Sequence, residues 1–328
     1  MIMNCRQIDE GMKGKNIYVC ILAALLTCGC VQNIETATEG YEIMLKASVS
    51  DVQVDTKAQS ANAYVGSVPS EAHSLIADLC FSLNSGDYST SVPTDETTYI
   101  PCRTFATFKS GEITTIYYNE DNTKPLKYPT NGNPVFCTGL YPKGAWEFKN
   151  GGFEASVTGE QDLMLAPEIS GRWDAQFGSS ESNSQKFNHV LTWLKVVLCA
   201  TSYAAIETWG EITDVTVKEL PTTVFVKDGS ITFGNTTQNI MLIPEGQSQP
   251  LSITNIDLGE FMCAPADSYT FSIETAKGMK AQTTMSIDGG FKAGFQYIMV
   301  LYFNTLAVID GVCTLAPWEN QNDNLYLN

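Results

Sequence analysis

The stretch VFVKDGSITF, Val224 to Phe233, constrains the fold more than any other part of the chain. Apolar and polar residues alternate along both arms, and Asp228-Gly229 sits between them. Asp-Gly accepts the positive φ angles of a type I′ turn, whose twist matches that of paired strands, so the stretch predicts a tight β-hairpin. EFKNGGFEASV around Asn150-Gly151-Gly152 and TTMSIDGGFKAGFQYIMVLYF around Asp288-Gly289-Gly290 repeat the device. Helical periodicity is scarce, and short runs rich in Val, Ile, Thr, Tyr and Phe recur between turn signals. The expectation is an all-β chain built of sandwiches or barrels.

Other segments extend this pattern. FNHVLTWLKVVLCATSY places Val190, Thr192, Leu194, Val196 and Leu198 on one face and Leu191, Trp193, Lys195 and Val197 on the other. Both faces are largely apolar, as in a central strand buried on two sides. Tyr41 to Val54 reads as a strand with Ile43, Leu45 and Val49 on one face. PSEAHSLIADLCFSL allows a short helix capped by Ser70 or a strand with Leu75, Ala77, Leu79 and Phe81 aligned; the strand is the expectation. Trp209 to Leu220 reads as a strand with Ile212, Val215 and Val217 apolar, and one slip in its alternation predicts a bulge. Between Pro167 and Lys186 the chain is rich in Ser, Gly, Asn and acid in its second half, which marks a linker.

The N terminus has a different character. Lys13 and Lys15 precede an apolar run from Ile17 to Leu26 and then small residues, the plan of a secretory signal peptide over residues 1–29. The run is too short to cross a hydrocarbon core, which takes about 20 apolar residues. Met1 to Gly11 precede this plan, and Met12 is the expected start. Cys28 follows Thr27 and Cys30 follows Gly29. A small residue before cysteine favours Cys30 as a lipidation site, and attached acyl chains stabilise membrane binding by about 0.8 kcal/mol per buried methylene.

Nineteen basic and 36 acidic residues give a net charge of -17. Such an excess repels phosphate backbones, so nucleic acid is not an expected partner. Cys80, Cys102, Cys137, Cys199, Cys263 and Cys313 are widely scattered. Export permits disulfides, and apolar surroundings such as VVLCA equally fit buried thiols. With two histidines in the chain, His73 and His189, a multi-histidine zinc site is excluded. No GxSxG, HExxH or P-loop motif occurs, and no cofactor is expected. The acidic turn YNEDNTK lacks the alternating ligands of a calcium loop. Of Trp146, Trp173, Trp193, Trp209 and Trp318, Trp173 in the linker is the expected exposed aromatic, able to stack on a sugar.

Six segments in order resemble one family. Cys30 after its signal peptide, TKAQ (Thr56 to Gln59), QDLMLA (Gln161 to Ala166), FNHVLTWLKVVL, WGEITDVTV, and FKAGFQYIMVLYFN followed by LAPW are similar to the fimbrillin family of Bacteroidales, the type V pilins and their accessory relatives. The resemblance implies two tandem β-sandwich domains of transthyretin-like topology, here expected at 58–175 and 176–328. It implies a lipidated segment, 30–57, that carries a removable strand and is cut by a maturation protease between Lys57 and Ala58. Lys57 stands where members cut by an arginine-specific protease carry Arg. It also implies an outer-membrane lipoprotein on the cell surface, subunit partners joined by strand complementation, and adhesion to a host or bacterial ligand. The tail ENQNDNLYLN offers Leu325 and Leu327 as a short donor strand, which favours an accessory, anchor or tip position. The competing expectation is a surface glycan-binding lipoprotein, which requires an exposed aromatic cluster and no displaceable strand.

Overall fold

The computed structural model describes residues 40–49, 75–89, 99–109, 112–180 and 183–316. The first half holds β1 (Met44–Val49), β2 (Leu75–Ser82), β3 (Cys102–Phe108), β4 (Ile113–Thr115), β5 (Val135–Tyr141), β6 (Trp146–Lys149), β7 (Gly152–Ser156), β8 (Met164–Gly171) and β9 (Gln185–His189). The second holds β10 (Thr192–Ala200), the helix α1 (Tyr203–Trp209), β11 (Glu211–Pro221), β12 (Thr223–Lys227), β13 (Ser230–Phe233), β14 (Thr237–Met241) and β15 (Gln249–Pro250). It ends with β16 (Ile256–Cys263), β17 (Ser268–Thr275), β18 (Lys280–Ser286), β19 (Gln296–Phe303) and β20 (Ile309–Ala316).

The strands form two β-sandwiches, and the β12–β13 hairpin, which lies in the chain between β11 and β14 of the second, belongs to the first. In the first, a seven-stranded sheet has the order β3-β2-β5-β8-β9-β1-β4 and a four-stranded sheet the order β13-β12-β7-β6. Strand alternation divides the large sheet's side chains between two cores. In β2, Leu75, Ala77, Leu79 and Phe81 enter one core. Cys80 turns the other way, to Trp146, Phe153, Val224 and Val226 of the smaller sheet. The second sandwich pairs β16-β10-β19-β20 with β14-β11-β17-β18. Leu194, Val196 and Leu198 meet Val215, Val217 and Phe271 in its core.

The two-residue turns occur where the sequence places them. Val224 pairs with Phe233 and Lys227 with Ser230, and Asp228 and Gly229 have φ of 49° and 74°. Asn150 and Gly151, at 51° and 76°, join β6 to β7 in the same way. The third expected hairpin is different. β18 pairs with β17, whereas β19 pairs with β10 and β20, so Asp288-Gly289-Gly290 carries the chain from one sheet to the other. β19 is a nearly continuous apolar run, and such a strand gains most at the centre of a sheet, where both its faces are covered.

β10 lies between β16 and β19, with Val196 and Leu198 in the core and Val197 and Cys199 packed with Val300 on its other face. β2 takes the strand alternative. The expected bulge in β11 lies between Ile212 and Asp214 in its pairing with β17. Trp209 is a correction to the reading of that strand, because it ends α1. Ser202 caps the helix by accepting the Ala205 N–H, and Gly210 closes it at φ 74°.

The segment from Pro167 to Lys186 begins in β8 and ends in β9, which pair with each other through Met164–His189 and Leu165–Asn188. Phe177 is buried in the first core, where its N–H donates to the Tyr128 hydroxyl at 2.8 Å. Position 175/176, expected as a domain boundary, thus falls within a connection between two strands of one sheet. The chain leaves that sheet through Val190 and Leu191, both buried.

Candidate functional site

β1 occupies a slot between two strands of opposite direction. Its one edge runs parallel to β9, with Ala47 beside Gln185 and Val49 beside Phe187. Its other edge runs antiparallel to β4, with Met44 beside Thr115 and Lys46 beside Ile113. Just before the strand, the Ile43 N–H donates to the Leu126 carbonyl at 2.7 Å and the Tyr128 N–H to the Tyr41 carbonyl at 2.9 Å. Among the described residues, β4 pairs with no strand but β1.

The side chains of this strand and of Ile43 before it divide cleanly. Ile43, Leu45, Ala47 and Val49 are buried in the first core, together with Phe108, Ile116, Leu126, Tyr128 and Phe187. Met44 is 40% exposed, on the outer face. Burial of Ile43, Leu45 and Val49 stabilises by about 1.5–3 kcal/mol apiece. The expected face of Ile43, Leu45 and Val49 is therefore present, and Ala47 belongs to it. Alternation by two would have found Ala47, whose small side chain gives a weaker apolar signal. Phe187 lies over Gly139 of β5, where a Cβ would stand 2.6 Å from the ring.

Without β1, the β9 edge, the β4 edge and the 126–128 backbone would each present unpaired groups above an apolar floor. A strand of alternating apolar residues satisfies such a slot, as strand addition does elsewhere. Cys30, Lys57, Ala58, Leu325 and Leu327 lie outside the described residues, as does Trp318.

The remaining candidates resolve into structural roles. His189 Nδ1 lies 2.6 Å from Asp162 Oδ2, both side chains largely buried where β9 ends. Trp146, Trp193 and Trp209 are buried. Trp173 is 46% exposed, and Tyr41 stacks on it with ring centroids 6.0 Å apart and planes inclined by 14°. In the acidic turn, Asn119 Oδ1 accepts the N–H groups of Thr123 and Lys124, which closes the loop on itself. Cys80, Cys102, Cys137, Cys199, Cys263 and Cys313 are free thiols. Burial pushes Cys80, Cys102 and Cys263 up to about 12, so none is a poised nucleophile. Among the described residues, no group of three or more His, Cys, Asp or Glu side chains could hold a metal ion.

Compared with protein-family models and with curated proteins, the sequence matches none. Among solved structures, a candidate cell adhesion protein from Bacteroides uniformis is similar over 85% of this chain and 98% of its own, at 15% identity and a TM-score of 0.49. A candidate adhesin from Bacteroides thetaiotaomicron is similar over 87% and 100%, at 8% identity and 0.49. The C-terminally truncated tip fimbrial protein Mfa3 from Porphyromonas gingivalis is similar over 85% and 99%, at 11% identity and 0.41.

Proposed function

We propose that this chain is a structural or accessory subunit of a surface fimbria of the type V kind, exported as an outer-membrane lipoprotein through Cys30 and assembled by strand exchange. Its work is cell adhesion and not catalysis. The observation that carries the reading is the slot of β1: one strand near the N terminus, paired on both edges, whose three buried side chains, with Ile43 just before it, close the first core. In this reading a maturation protease cuts between Lys57 and Ala58, residues 30–57 leave with β1, and a strand from another subunit takes its place. The sequence resemblance to fimbrillins supports the same order of events.

The test is the N terminus of the protein recovered from its native cell surface, read by mass spectrometry. An N terminus at Ala58 is the expected result for an incorporated subunit. Surface protein that keeps an acylated Cys30, in fibres or out of them, would remove strand release from the account.

A further inference from the structure

Tyr41 stands two residues before Ile43 and continues the alternation of Ile43, Leu45, Ala47 and Val49 by one step. Its carbonyl accepts the Tyr128 N–H, and the Ile43 N–H donates to the Leu126 carbonyl, so the register of the slot extends past the end of β1. At this outermost step the side chain does not enter the first core. It lies against Trp173, and both rings are about half exposed.

Trp173 is held by residues other than those of the β1 segment. It sits in a turn between β8 and β9, where the Arg172 N–H donates to the Ala175 carbonyl at 3.0 Å and the Ala175 N–H to the Arg172 carbonyl at 3.1 Å. Gln176 Nε2 donates to the Trp173 carbonyl at 3.2 Å, and the Phe177 N–H ends the turn on the Tyr128 hydroxyl. Tyr128 thus serves two parts at once: its N–H holds the occupant of the slot, and its hydroxyl holds the turn that carries Trp173. Arg172 pairs with Asp174 at 3.1 Å, so the charges flanking the indole balance each other.

We infer that the strand which replaces β1 carries an aromatic residue two positions from the one that fills the place of Ile43, and that its ring stacks on Trp173. The inference rests on the strand-exchange reading, in which loss of residues 30–57 takes Tyr41 off an indole that stays where it is. A strand that then pairs with the Tyr128 N–H brings one side chain over that indole. Backbone pairing along the slot is indifferent to sequence, and the places of Ile43, Leu45, Ala47 and Val49 ask only for apolar residues of fitting size. Trp173 asks for more, because stacked aromatic rings gain beyond the area they bury. An aliphatic side chain forgoes that gain, and a charged one finds the flanking charges already paired. Trp173 therefore separates an aromatic-led strand from other apolar alternations.

A photo-cross-link from the full chain tests this: Trp173→p-benzoylphenylalanine, expressed on native cells, with the cross-linked peptides read by mass spectrometry. Before processing, the link should fall on Tyr41. In fibres whose subunits begin at Ala58, it should fall on a Phe, Tyr or Trp of another chain, two positions from the residue in the place of Ile43. A link to an aliphatic or polar residue in such fibres overturns the inference and leaves strand exchange standing. A link that stays on Tyr41 in fibres overturns strand exchange, and the inference with it. Trp173→Ala should lower the share of Ala58-ended protein found in fibres roughly twofold to tenfold, the loss of one aromatic pair, and Trp173→Phe should largely keep it. An unchanged share in Trp173→Ala also overturns the inference.

Discussion

Phe108 and Phe187 meet with ring centroids 6.4 Å apart and planes inclined by 52°, although β2, β5 and β8 separate their strands in the sheet order. The large sheet therefore curls until its β3 edge faces β9. What it encloses is the core that β1 completes.

Substitution of Gly139 tests that curl. A methyl group there would stand 2.6 Å from the Phe187 ring and 3.2 Å from Ala166 Cβ. Gly139→Ala should cost about 1–3 kcal/mol by overpacking, measured by urea unfolding.

The two faces of β1 should respond unequally. Leu45→Ala removes a fully buried side chain and should cost about 2–5 kcal/mol. Met44→Ala, on the outer face, should change stability by no more than about 0.5 kcal/mol. Equal effects in urea unfolding would mean that β1 contributes little to the core.

The proposed lipidation falls on Cys30 and leaves its neighbour Cys28 unmodified. Cys30→Ala should shift the protein from the membrane fraction to the soluble fraction, and Cys28→Ala should not. Fractionation followed by metabolic labelling with a fatty-acid analogue checks this, and the reverse result would give the lipid to Cys28.

Buried thiols make stability fall at alkaline pH. Burial raises Cys80, Cys102 and Cys263 from 9.0 to about 12 in the folded chain. Below pH 9.0 both states keep these protons and the stabilisation is complete. Above it the unfolded chain releases them and the folded chain does not, so each thiol removes about 1.4 kcal/mol per pH unit until its folded value is reached. Burial of Tyr88 and Tyr269 acts in the same direction. Unfolding free energies measured on either side of pH 9.0 should diverge steeply, and replacing Cys263 by Ala should reduce the slope by about one proton.

Much of this architecture was legible in local chemistry. Asp228-Gly229 and Asn150-Gly151 declared their turns because positive φ is a property of the turn residues themselves. The alternation at Leu75, Ala77, Leu79 and Phe81 declared a strand, and the slip near Asp214 declared a bulge. Less legible was whatever depends on distant partners. Asp288-Gly289 marks a turn but not which sheet receives the next strand, a choice made by the two apolar faces of β19. The Ser-rich stretch before Lys186 resembles a linker because Phe177, a buried anchor, carries no periodic signal. The left-handed backbone of Glu219, at φ 58°, gave no sequence warning, since it is imposed by the pairing of β11 with β14.

The β12–β13 hairpin has a consequence for how the protein is made. Val224 and Val226 cover Trp146 and Phe153, yet they lie about 70 residues further along the chain than those partners. During synthesis at about 5–20 residues per second, the layer holding Trp146 cannot close until Phe233 has emerged. The first sandwich is thus finished by the second half of the chain, and the nascent protein stays open for longer than a chain of two separately folding modules would.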